Sequence, residues 1–133
     1  MIEEQFDQLK DQCESNQTGV PIRTSLASGA TLISIPDVSI GDGWNCKKVE
    51  VLFLAPPGYP AAQPDCFWVT PSGLRLENGG TPQNTNDSNP IPNDTVSDRQ
   101  TTWFSWHLQS WNPNHDSLVT FFKVIMQRLK PAR

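Results

Sequence analysis

The segment from Trp103 to Leu118 reads Trp-Phe-Ser-Trp-His-Leu-Gln-Ser-Trp-Asn-Pro-Asn-His-Asp-Ser-Leu. It carries three of the chain's five tryptophans and both of its histidines, so aromatic and titratable side chains are concentrated in one place. Asn112 suits a helix N-cap, and Pro113 suits the first helical position, where its missing N–H would have had no partner. A helix is therefore expected to open at Asn112. Beyond it, Leu118, Phe121, Phe122, Ile125 and Leu129 recur at spacings of three and four, forming one apolar stripe. Lys123, Gln127, Arg128 and Lys130 lie off that stripe. The late cations suit a helix C-terminus, and Pro131 stops it.

Upstream of this segment, residues 77–102 are rich in Asn, Thr, Asp, Pro, Gly and Ser, with Ile91 and Val96 the apolar exceptions. Such a stretch buries little and is expected to be a long polar, flexible loop, and a loop of that length inside a compact domain is usually functional or mobile. Before the loop, four runs predict strands. They are Val20–Leu26, with Pro21 pointing to an edge position; Thr31–Ile35; Lys47–Leu54; and Asp65–Val69. Lys47–Leu54 alternates, with Val49, Val51 and Phe53 on one face and Leu52 and Leu54 on the other. Pro36 to Asn45 is expected to be a loop. The short connections favour an antiparallel meander. At the N-terminus, Ile2, Phe6, Leu9 and Cys13 share one side of an expected helix over Met1–Glu14. The fold class is α+β: an N-terminal helix, a four-stranded antiparallel meander, a long loop and a C-terminal helix, in one domain spanning residues 1–133.

The bulk numbers narrow the function. With a net charge of −4 and a sequence pI near 5.0, the chain has no basic stripe to neutralise phosphates, so neither nucleic acid nor a membrane surface is an expected partner. No apolar run is long enough to span a bilayer and no signal-peptide core is visible, so a cytoplasmic protein is expected. The three cysteines, Cys13, Cys46 and Cys66, show no Cys-x-x-Cys spacing, which predicts neither a disulfide framework nor a zinc site. No cofactor motif is present. His107 and His115 lack a third ligand at metal-binding spacing, so no metal is expected.

The order of elements, together with two short motifs, resembles the ubiquitin-conjugating enzyme superfamily. Pro57-Gly-Tyr-Pro60 with Gln63-Pro64 is similar to that family's Pro-x-Tyr-Pro turn, and Trp111-Asn-Pro113 followed by Leu118 is similar to its Trp-Ser-Pro segment after the active site. The tryptophan-rich Ser-x-His region resembles the bacterial branch known as the prokaryotic ubiquitin-conjugating-like family E. The resemblance implies an acyl carrier that takes the C-terminus of a ubiquitin-like protein from an activating enzyme. A deconjugating peptidase would belong to the same pathway, and phage defence is a candidate setting. Tyr59, Trp103, Trp106, Trp111 and Asp116 are the candidate binding residues; most of the tryptophans are expected to be core or groove lining, with Trp106 the one most expected to face a partner. One departure is decisive: where the family's nucleophilic cysteine is expected, upstream of Trp111, this chain has Trp103. No cysteine follows Cys66, and the family's His-Pro-Asn is missing.

Acyl transfer needs a nucleophile, a base and hydrogen-bond donors for the oxyanion. Ser105 and His107 are the candidate pair, because residues two apart on an extended segment point the same way. The product would be an oxyester in place of a thioester. Asp116 or Asp98 could orient the imidazole, and the sequence does not choose between them. Ser-x-His is also compatible with a purely structural or binding role. Cys66 is the rival nucleophile, although a thiol beside Phe67 and Trp68 is expected to be buried and inert. Cys46 stands beside Lys47 and Lys48, which would favour its thiolate. Asp116 and His115 are expected in the first turn of the last helix, where an acid suits the dipole. A free-standing Ser–His hydrolase is disfavoured, since no Gly-x-Ser-x-Gly elbow is present. Two functions follow: a ubiquitin-like-protein carrier, or a catalytically inactive module of the same fold that docks a ubiquitin-like protein or its activating enzyme.

Overall fold

The computed structural model describes residues 2–133. Its elements are helix α1 (Ile2–Ser15), strands β1 (Ile22–Ser25), β2 (Thr31–Ser39), β3 (Lys48–Ala55), β4 (Phe67–Thr70), β5 (Thr85–Asn86) and β6 (Thr102–Phe104), and helix α2 (Leu118–Leu129). The fold is α+β. The sheet has six strands rather than four, in the order β1-β2-β3-β4-β6-β5, with every neighbouring pair antiparallel. The two added strands come from the polar loop and from the tryptophan-rich segment. The expected start of the first helix, Met1, lies outside the described residues.

Alternation along β3 divides the molecule into two apolar clusters. Val49, Val51 and Phe53 face α1 and α2 and meet Phe6, Leu9, Cys13, Phe121, Phe122, Ile125 and Leu129. Phe53 lies against Phe121, with ring centroids 5.1 Å apart. Leu52 and Leu54 face the other way, into a smaller cluster with Leu26, Leu32, Trp68, Cys66, Trp103 and Ile91. Ile91, a buried apolar residue of the loop, packs on this second face of the sheet. β2 runs on to Ser39, past the expected loop at Pro36, by absorbing a register shift between Ile35 and Val38. Asp37 takes a positive φ of 56° there.

Residues 77–102 are held by hydrogen bonds as well as by the burial of Ile91. Trp68 Nε1 donates to the Asn89 carbonyl (2.7 Å). Asp87 accepts from the Gly73 N–H (2.9 Å), the Thr102 hydroxyl (2.8 Å) and the Arg75 guanidinium (2.5 Å). The Arg75 hydrogen bond, with the two others, holds the Asp87 carboxyl below the usual carboxylate range.

Helix α2 begins later than expected. Asn112 does not cap it. The Asn112 carbonyl instead accepts from the His115 and Asp116 N–H groups (2.9 and 2.7 Å), and Asp116 Oδ2 accepts from the Asn112 N–H (2.7 Å). Residues 112–116 thus close a turn of their own. Ser117 is the N-cap, its N–H donating to Thr120 Oγ1 (3.0 Å), so His115 and Asp116 stand before the helix rather than in its first turn. At the other end, buried Trp44 donates to the Leu129 carbonyl (2.8 Å), satisfying an acceptor that the helix leaves open. Arg128, expected off the apolar stripe, is 1% exposed. Its guanidinium lies over the Phe104 ring at 4.9 Å and the Trp106 ring at 5.5 Å, and it donates to the Gln83 and Arg133 main-chain oxygens (2.7 and 2.9 Å). Burial pushes its pKa down to about 10, which still leaves it charged near neutrality.

Phe121→Ala empties the centre of the helix–sheet interface and is expected to cost about 3–5 kcal/mol, read as a lowered denaturant midpoint. Asp87 contributes its stabilisation above its unfolded value, about 3.9, and loses it as pH falls through the depressed folded value. The melting temperature of the wild type should therefore fall more steeply towards acid than that of Asp87→Asn.

Candidate functional site

The register between β4 and β6 builds the site. Phe67 pairs with Phe104 and Trp68 with Trp103. The Phe67 and Phe104 rings stack at 4.6 Å with an interplanar angle of 11°. Followed past the last paired residues, the same register brings Asp65 across from Trp106, beside Ser105 and His107. β5 closes the other side: the Ser105 N–H donates to the Asn84 carbonyl (2.8 Å). The chain then turns sharply, with the Trp106 N–H donating to the Phe104 carbonyl (3.0 Å). That three-residue turn, common where strands end, has Ser105 at its apex. Ser105 and His107 thus come together through a turn and not through the extended alternation expected of them.

Ser105 Oγ lies 3.2 Å from His107 Nε2. His107 Nδ1 is bonded in turn to Asp65 Oδ1. An ionised carboxylate can only accept, so it pairs with Nδ1–H, and in the neutral imidazole that tautomer leaves the Nε2 lone pair facing the hydroxyl. The carboxylate that meets His107 is that of Asp65, not that of Asp98 or Asp116. Asp65 was invisible in the sequence because it lies 42 residues from His107 and meets it only through strand pairing. The side chains of His107 and Asp65 are 56% and 63% exposed, and Ser105 is half-buried, so the line of three groups opens to water.

The other candidates fall into place around this line. Trp111 Nε1 donates to the Pro60 carbonyl (2.7 Å), and its ring lies 5.9 Å from Tyr59. The tryptophan thereby ties the proline turn to the segment after the site. Tyr59 donates to Gln5 Oε1 on α1, and burial, then the nearby charge of Asp116, pushes its phenol well up. Trp106 is half-buried between Arg128 and Arg133, each 5.5 Å from its ring. Trp103 packs into the second cluster. His115 is exposed and lies apart from the line, with Asn114 and Asp116 in a shallow depression beside Glu4 and Gln8 of α1. Among the described residues, no group of three or more His, Cys, Asp or Glu is arranged to hold a metal ion.

The cysteines sort by burial. Cys13 is buried in the main core. Cys66 packs into the second cluster, where burial pushes its thiol up and the Trp103 side chain offsets this only in part. Cys46 is likewise pushed up by burial, against the lowering expected from Lys47 and Lys48. Cys46 packs against the main core, while Lys47 and Lys48 are exposed.

A family model described as prokaryotic E2 family E matches residues 9–132. The chain belongs to that family. No curated protein and no solved structure matches it. A prokaryotic E2-like protein is ubiquitin-conjugating-like in function, of a class that works with a ubiquitin-like protein and its activating enzyme. No described helix is long and apolar enough to cross a membrane.

With thiols raised by burial, alkylation of Cys66 and Cys46 by iodoacetamide at pH 7 should run at least about tenfold slower than that of a free cysteine and accelerate towards pH 9. Peptide mass mapping over time reads both rates.

Proposed function

We propose that this prokaryotic E2-like protein carries the C-terminus of a ubiquitin-like protein as an oxyester on Ser105, received from an activating enzyme and passed to a target. The observation that carries the reading is the line from Asp65 through His107 to Ser105. A serine hydroxyl is a poor nucleophile at neutral pH until a base removes its proton during attack. His107 Nε2 is at hydrogen-bond distance to do so, and Asp65 holds the ring in the needed tautomer and stabilises the imidazolium that forms. The raised thiols of Cys46 and Cys66 make a thioester at either of them the weaker reading.

The tetrahedral intermediate needs donors. The Ser105 and Trp106 N–H groups are already committed to Asn84 and Phe104. Asn84 stands opposite Ser105 in continuation of the β5–β6 register, is exposed and has a positive φ of 58°. Its side-chain amide is the donor we assign to the oxyanion. Trp106, Trp111 and Tyr59 then frame the approach of the incoming tail. The final acceptor, and release by a deconjugating peptidase, would follow in the same pathway.

Mixing the protein with its activating enzyme, ubiquitin-like protein and ATP should give an adduct that resists thiol reductant and yields to hydroxylamine. Ser105→Ala should abolish it, and Cys66→Ala should leave it intact. Asp65→Asn should slow loading by roughly 10²- to 10⁴-fold. Asn84→Gly keeps the backbone conformation while deleting the amide, so loading that stays at the wild-type rate would remove Asn84 from the chemistry. Failure to form any adduct with active partners would leave a docking module of the same fold.

A further inference from the structure

The same three groups that would form an ester on Ser105 are placed to break it. This inference rests on the carrier reading but adds an activity to it. Before acylation, His107 Nε2 faces the Ser105 hydroxyl at 3.2 Å. Once Ser105 is acylated its oxygen has no proton, and the Nε2 lone pair is released. The imidazole does not move away, because Asp65 holds Nδ1. His107 and Asp65 are more than half exposed, and the residues that follow, Gln109 and Ser110, are exposed too. Water therefore reaches Nε2 directly. A water hydrogen-bonded there stands about 3 Å from the acyl carbon on the neighbouring oxygen, within near-attack range.

We infer that the protein is also an ester hydrolase, which discharges its own acyl-Ser105 to water when no acceptor is bound and turns over small activated esters at the same site. In the discharge step the water oxygen bonds to the acyl carbon while its proton passes to His107 Nε2. The tetrahedral intermediate collapses as the bond from carbon to Ser105 Oγ breaks. The electron pair goes to Oγ, which takes the proton back from His107. The products are free serine and a carboxylic acid, which ionises, and no other reactant is consumed. The missing nucleophile elbow does not prevent this, because the three-residue turn at Ser105 presents the hydroxyl to solvent at the end of a strand.

Two assays test the inference separately from the carrier reading. In the first, the full chain is given p-nitrophenyl acetate alone. Release of p-nitrophenolate should exceed one equivalent per protein, and acid quenching should trap acetyl on Ser105 by mass spectrometry. Ser105→Ala and His107→Gln, checked for native thermal melting, should each lower the rate by roughly 10²-fold. Release that stops at one equivalent with acetyl-Ser105 persisting, or turnover that survives both substitutions, overturns the hydrolase. In the second, an adduct with the ubiquitin-like protein is freed of ATP and left in ¹⁸O-water without acceptor. Its decay within minutes, with one ¹⁸O in the released carboxylate, supports discharge to water, and an adduct stable for hours overturns it while leaving the carrier intact. If no such adduct forms but p-nitrophenyl acetate is turned over through Ser105, the carrier reading falls and the hydrolase stands.

Discussion

The stack of Phe67 on Phe104 sets the position of everything around it. Both rings are fully buried, and they lie nearly parallel across the β4–β6 pair. Strand pairing tolerates no slip where one face is buried, since a shift of one residue would turn every side chain to the opposite face. With this register held, Asp65, two residues before β4, and His107, three residues after β6, come side by side. A carboxylate and an imidazole separated by more than forty positions in the chain become neighbours because two phenylalanines cannot trade places with Trp68 and Trp103.

Behind that stack, Arg128 ties three parts of the molecule together. It reaches from α2 over Phe104 and Trp106, and bonds the main chain near Gln83 and Arg133. Burying a guanidinium is costly unless its donors and charge are matched, and the aromatic faces supply part of that match. The segment leading into Ser105 is thereby clamped between the last helix and the short strand β5. On the opposite side Trp111 bonds the proline turn at Pro60. The candidate site is therefore tied to its surroundings on both sides while the His107 and Asp65 side chains stay exposed to water.

That combination has a chemical consequence. A thiol supplies its own nucleophilicity by ionising, but it loses this when packed among apolar groups, as the cysteines here are. A hydroxyl gains nothing from ionising near neutral pH and depends on a neighbouring base. A base held in the open acts on whatever acidic proton comes next, whether from serine, an acceptor or water. In the proposed chemistry, transfer and hydrolysis would differ only in which nucleophile occupies the same few ångströms, and the acceptor would compete with solvent for His107.

The sequence determined the parts that depend on neighbours along the chain. The apolar stripe of α2, the alternation of β3 and the two faces of Phe67–Trp68–Val69 all follow from short-range periodicity, and the family likeness followed from motifs in their order; Ser105 and His107 were singled out by spacing, but a turn and not that spacing brings them together. What it left open depends on distant parts of the chain. The tertiary structure chose Asp65 over Asp98 and Asp116, since strand register is invisible to local spacing. It moved the helix start from Asn112 to Ser117, because Asp116 was used to close a separate turn. It added β5 and β6 to the sheet, drawing β5 from a loop too polar to read as strand and β6 from the start of the tryptophan-rich segment. It buried Arg128, whose charge marks it for the surface until the rings of Phe104 and Trp106 come to lie beneath it. Local patterns record which face a residue shows; only the folded chain decides which residue it meets there.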